Sequence, residues 1–217
     1  MKHAATTLKI VLTAVLLLTC SCSSWYYGML ETLGTSKREL FKTRVVAARD
    51  AQTDAKEQFA SALERFRSLK NFDGGKLEET YESLNDEFEK SEDKADRVKK
   101  RIESLESVSE ALFDEWEDEI GQYSNQALQH SSEKKFREAR KNYTRLMQSM
   151  HAAESRLDPA LTPMRDQVLF LKHNLNAKAV ASLEGELANV EFDVSTLLQN
   201  LQQSIAHTDE YIRTLEE

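Results

Sequence analysis

The chain has 217 residues and carries 29 basic against 37 acidic side chains, a formal net charge of −8. That balance excludes a surface built to hold a phosphate backbone, so no nucleic-acid partner is expected. Two prolines and six glycines among 30% charged residues also exclude a sheet-rich fold, which needs turn chemistry every few positions.

The chain opens on a leader. Lys2 and Lys9 precede an uncharged run from Ile10 to Thr19, the layout of an export signal. A permanent span needs roughly 20 apolar residues, and this run is about half as long. Two cysteines follow. Cys22 stands behind Leu18, Thr19, Cys20 and Ser21, the small and apolar neighbourhood in which a bacterial prolipoprotein cysteine is acylated and then freed by cleavage. Cys20 has branched Thr19 in the critical place and fits less well; the alternative is a secreted chain with a Cys20/Cys22 clip. Lipidation at Cys22 discards residues 1–21 with two lysines and no acid, which takes the net charge to −10. The lone remaining sulfur becomes a thioether, so neither a disulfide nor a thiolate metal site is expected. Ser23 stands where an Asp marks inner-membrane retention in Gram-negative lipoproteins, and so directs the chain to the periplasmic face of the outer membrane. Trp25, Tyr26 and Tyr27 fit the headgroup level, where amphipathic rings prefer to lie; packing on the first helix is the alternative.

Beyond Gly34, Ser36 is the predicted cap of a first helix, with Glu39 as the third helical residue. Phe41, Val45, Ala48, Gln52, Ala55, Phe59, Ala62, Phe66 and Leu69 follow at steps of three or four, one stripe of a heptad seam. Asn71, Phe72, Asp73, Gly74 and Gly75, then Lys76, form the predicted hairpin tip, since these residue types end helices. A second seam runs Leu77, Tyr81, Leu84, Phe88, Ser91, Ala95, Val98, Ile102, Leu105. It then slips through Val108, Leu112, Trp116, Ile120 and Tyr123, which predicts one helix from Lys76 to about Gln129, roughly 54 residues and ~80 Å long. So short a connection at the tip makes the first two helices antiparallel neighbours.

The third seam is Phe136, Ala139, Tyr143, Leu146, Met150, Ala153, Leu157. It meets the sequence LDPALTP, where Asp158 and Thr162 each precede a proline and read as caps. Interior proline costs ~3 kcal/mol or more, so the helix is expected to break by a kink or a reversal, and a reversal between 158 and 177 is preferred because an unbroken second half would span about 130 Å. Apolar spacing resumes through Leu161, Met164, Val168, Leu171 and Leu175, and HNLNA at 173–177 is a second break candidate. The last seam is Leu183, Leu187, Val190, Val194, Leu197, Leu201, Ser204, Thr208, Tyr211, Leu215. The expected fold is all-α, an elongated antiparallel coiled-coil bundle of three to four long helices. Its divisions are a signal peptide at 1–21, a membrane-proximal segment at 22–35 and a helical domain at 36–217.

Few patterns carry chemistry. FDGGKL has glycines and Lys76 but neither the preceding strand nor the following hydroxyl of a phosphate loop. His3, His130, His151, His173 and His207 are scattered; His151 with Glu154 and His207 with Glu210 read as surface pairs, in the reverse order to a bundle di-metal motif. Glu115, Glu117, Asp118 and Glu119 around Trp116 lack calcium-loop spacing and read as a solvated face. No catalytic residue, metal or cofactor is expected.

The stretches CSSWYYGMLETLGTSKREL, RDAQTDAKEQFASALERF, NFDGGKLEETYESLNDEFEKSE, ALFDEWEDEI, QYSN and DQVLFLKHNLNAKAVASLEGEL together resemble one family. It is the domain-of-unknown-function family 2959 of Gram-negative bacteria, whose members are largely predicted lipoproteins. The resemblance spans essentially the whole mature chain and implies no established activity. Some relatives carry the name of a DNA repair ATPase. A cytoplasmic ATPase is therefore one alternative, and it conflicts with the leader, the acidic balance and the missing phosphate loop. An envelope enzyme is another, and would need charged side chains from several helices converging in one pocket. The leading expectation is a non-enzymatic, lipid-anchored module that meets an unidentified envelope protein, with the tip residues 71–76 and the 158–177 segment as its contact points.

Overall fold

The computed structural model describes residues 36–71, 77–174 and 177–216. Among them there are five α-helices and no strands: α1 (Lys37–Arg67), α2 (Leu77–Ile120), α3 (Gln126–Glu154), α4 (Leu157–His173) and α5 (Ala177–Glu216), with a short 3-10 turn, Ser68–Asn71, after α1. They form four antiparallel columns, the third made of α3 and α4 in succession.

Ser36 caps α1 as its sequence predicts, its hydroxyl accepting from the Glu39 N–H at 3.2 Å. All nine residues of the first predicted seam are buried. Four alanines among the buried residues of α1, Ala48, Ala51, Ala55 and Ala62, leave room for close approach on two sides. Pairs across α1 and α5 fix that register: Arg49–Asp209 at 2.8 Å, Lys56–Gln202 at 2.7 Å and Arg67–Glu191 at 3.2 Å. Each step forward along α1 is matched by an equal step back along α5. One buried polar level interrupts this interface, where Ser204 donates to Gln52 Oε1 at 3.0 Å with both residues fully shielded. A buried polar pair in a largely apolar seam penalises shifted registers, because slippage strands the Ser204 hydroxyl and the Gln52 Oε1.

The second helix is shorter than its seam suggests. It ends at Ile120, and α3 starts at Gln126 after a turn. Asn125 caps α3, accepting from the Ala127 N–H at 2.9 Å and the Leu128 N–H at 3.3 Å. The predicted continuation to Gln129 is therefore corrected. An Asx cap satisfies two orphan donors, and beyond Ile120 the chain offers no strong apolar anchor to oppose it. In the slipped part of the seam Phe113, not Leu112, is fully buried, and Tyr123 is 44% exposed.

The prolines produce a kink and not a reversal. Ser155 and Arg156 keep right-handed helical backbone (φ −62, ψ −12 and φ −96, ψ −8) between α3 and α4. Pro159 has no N–H to offer the Ser155 carbonyl and its ring crowds that group, which opens the helix there. The heptad count survives: His151–Glu106, Asp158–Lys99 and Arg165–Glu92 advance seven residues at a time along α3 and α4 and retreat seven at a time along α2. Neither predicted proline cap forms. Asp158 lies inside α4 and takes the Lys99 ammonium at 2.7 Å, and Pro163 is carried within the same helix. Tertiary packing of Leu157, Leu161, Met164 and Val168, all buried, holds the helix together through it. Reversal comes at the second predicted break. Asn174 leaves α4 with φ −136 and ψ 60, and its side-chain amide donates to the Phe170 carbonyl at 2.9 Å.

Alternating columns place residue 36, the 121–125 turn and the end of α5 at one end of the bundle, and Asn71, Leu77, Asn174 and Ala177 at the other. The 44-residue α2 sets a length of ~66 Å.

Candidate functional site

Cys22, Ser23, Trp25, Tyr26 and Tyr27 lie outside the described residues, as do Phe72, Asp73, Gly74, Gly75 and Lys76. Asn71 closes the 3-10 turn after α1. No described helix is long and apolar enough to cross a membrane.

At the end where the chain enters, rings from all four columns gather. Phe113 and Trp116 of α2 stand edge-on to Phe136 of α3 at 5.9 and 5.6 Å, and Phe41 of α1 meets Tyr211 of α5 at 6.2 Å. The Trp116 indole donates to Ser132 at 3.0 Å and Glu115 takes the Lys37 ammonium at 2.9 Å. The acidic cluster around Trp116 is thus a helix face with one interhelical pair. Among the described residues no three His, Cys, Asp or Glu side chains converge as metal ligands.

The histidine pairs resolve differently from one another. His207 turns from Glu210 to the Ser149 hydroxyl across α3 and α5, 3.0 Å away; this corrects the predicted surface pair. His130 meets Glu133 at 3.4 Å, a pair of the same spacing that the sequence carries in plain view. His151 does pair with Glu154 at 2.8 Å, and its other nitrogen reaches Glu106 of α2 at 2.9 Å. Partial burial disfavours its charged form, but hydrogen bonds donated by its two ring N–H groups to the Glu154 and Glu106 carboxylates outweigh that, and the pKa rises above its ordinary value. A raised folded pKa gives stability that is complete below about 6.5, the ordinary histidine value, and is lost as pH climbs through the folded value. The urea midpoint of the protein is therefore expected to fall between pH 5.5 and 8, and the fall to flatten in His151→Gln. An equal slope in the variant sinks the assignment.

On the outer surface between α4 and α5, in the half of the bundle away from residue 36, lies a groove of about 830 Å³. Pro159, Pro163, Phe170 and Leu183 give it apolar walls, and Asp166, Glu186 and Asp193 line it with no basic residue among its walls. Phe170 is 39% exposed, and Phe192, next to Asp193 on the outward side of α5, is 71% exposed. Gln167 completes the wall. It is 3% exposed, and neither its Nε2 nor its Oε1 has a hydrogen-bond partner. Unmet buried amides are rare because each orphaned group costs about 1–3 kcal/mol. Sequence reading passed over Gln167, although its place three residues after Met164 and four before Leu171 puts a polar side chain in an apolar stripe.

The family described as protein of unknown function (DUF2959) matches residues 26–215, and the chain belongs to it. No curated protein matches the chain.

Proposed function

We propose that this member of the DUF2959 family is a non-enzymatic lipoprotein of the outer membrane's periplasmic face, a coiled-coil module that carries an interaction surface away from its lipid anchor. The observation that carries the reading is the run Leu18, Thr19, Cys20, Ser21, Cys22 behind a charged and apolar leader, with Ser23 as the sorting residue. Several features agree with it. The family match begins just past Cys22. The described bundle begins at residue 36, so a tether spanning 22–35 would enter at one end, while Asn71, Leu77, Asn174 and Ala177 lie at the opposite end. A rod of ~66 Å separates anchor from loops. Trp25, Tyr26 and Tyr27 supply the interfacial rings of the tether.

The partner is met, on this reading, at the far end: Asn71 to Lys76 and the neighbouring α4 to α5 segment. Photo-reactive residues placed at 71 and 76 in living cells are expected to capture an envelope polypeptide, while the same group at Gln122, at the anchor end, does not. Identical capture from both ends, or none from either, would overturn it.

A further inference from the structure

We infer that the groove between α4 and α5 is a receptor for an extended, basic segment of a partner polypeptide, with the Gln167 amide as its main-chain reader. The inference names the partner chemistry of the interaction module above and rests on that reading. Two independent features meet in this groove. The first is charge: Asp166, Glu186 and Asp193 line it, and among the described residues none of the three is in an ion pair. On the neighbouring α2–α4 interface the facing carboxylates are neutralised, Asp158 by Lys99 and Glu92 by Arg165. An acidic lining left without cations beside exposed Phe170 suits arginine or lysine side chains interleaved with apolar ones.

The second feature is the orphaned amide. Gln167 keeps a donor and an acceptor without partners and is itself one of the residues lining the groove. A primary amide offers one N–H donor edge and one C=O acceptor side by side. The main chain of an extended residue offers the complement, because its N–H and C=O project to the same side. Main-chain pairing with alternate side chains directed into the site is the recurrent way in which extended segments are recognised. Binding then gives the amide the partners that the free bundle withholds. A ligand that satisfies a group unsatisfied in the free protein gains affinity without a matching loss.

The consequence separates binding from folding. Gln167→Leu removes two unmet polar atoms from an apolar wall, so the full chain carrying it should unfold at equal or higher urea concentration than the parent. Its affinity should nonetheless fall. The probe is a fluorescent dodecapeptide of alternating arginine and leucine, titrated into the full chain, with an N-methylated version and a glutamate-for-arginine version alongside. One-to-one binding is expected, weakened at least tenfold by Gln167→Leu and by N-methylation, and at least tenfold by the triple change Asp166→Asn, Glu186→Gln and Asp193→Asn. The glutamate peptide should not bind. Absent binding of the arginine peptide overturns the inference. So does equal binding by Gln167→Leu, which would reduce the effect to attraction between a cation and an acidic protein. Anchoring is read separately by membrane fractionation of the same strains. A correctly anchored protein with an unresponsive groove defeats only this inference, and a groove that binds in a protein never anchored defeats only the reading it rests on.

Discussion

Cys22→Ser is expected to leave the chain as an uncleaved precursor, with Met1 attached, no incorporated fatty acid and a changed membrane distribution. The reason is chemical. A thioether to diacylglycerol needs a thiolate at that position, and a serine hydroxyl, many orders weaker as a nucleophile at neutral pH, cannot take its place. Cleavage follows acylation in this order of events, so blocking the first step blocks both. On the proposed reading the anchoring consequence is large, because each buried methylene contributes about 0.8 kcal/mol and a lipoprotein terminus carries more than one chain where a single one binds only reversibly. Cys20→Ser should change nothing, since on the proposed reading Cys20 leaves with the leader. Intact mass and fatty-acid labelling of the three proteins, wild type and both variants, check the outcome. Normal processing of Cys22→Ser would remove the anchor, and the outer-membrane placement with it.

Most of the bundle was legible in the heptads, for a physical reason visible in α1. Steps of three and four put Phe41 through Leu69 on one stripe, and every one of those nine residues is buried, because long helices with few breaks leave periodicity as the main determinant of which face is covered. Where the chain departs from expectation, a local bond has outcompeted the stripe. Asn125, with two backbone N–H groups to satisfy, ended a helix that apolar spacing alone would have prolonged. At the prolines the contest went the other way: Leu157, Leu161, Met164 and Val168 kept α4 intact around Pro163, so an isolated propensity argument overestimated the break. His207 chose Ser149 of a neighbouring column, which no spacing within α5 could announce. The groove was the least legible feature. It arises from two helices brought together by a reversal near residue 174; the proline-marked 158–177 segment supplies one wall, but the facing wall from α5 and the burial of the polar Gln167 are set by tertiary packing.

The second large effect is expected from Phe59→Ala. Phe59 is fully buried midway along α1, at a level where α1 is tied to α2 through Gln58–Glu87 at 2.8 Å and to α5 through Lys56–Gln202 at 2.7 Å. Truncating a phenyl ring there removes its transfer free energy and leaves a cavity that the surrounding helices close only in part, a loss of about 3–5 kcal/mol. Against a typical domain stability of about 5–15 kcal/mol, that is about a fifth or more of what holds the bundle together. Phe192→Ala is the control: the ring is 71% exposed, and its removal should fall within about 0.5 kcal/mol of the parent. Urea unfolding followed by circular dichroism measures both. The comparison also tests how the columns are coupled. All four contribute to one continuous buried cluster, so Phe59→Ala should lower the midpoint of a single transition, including the part contributed by α3 and α4 beyond the kink. Two separated transitions, with α3 and α4 unaffected, would mean that the core is divided at the proline segment and that the register carried through it by His151, Asp158 and Arg165 does not transmit stability.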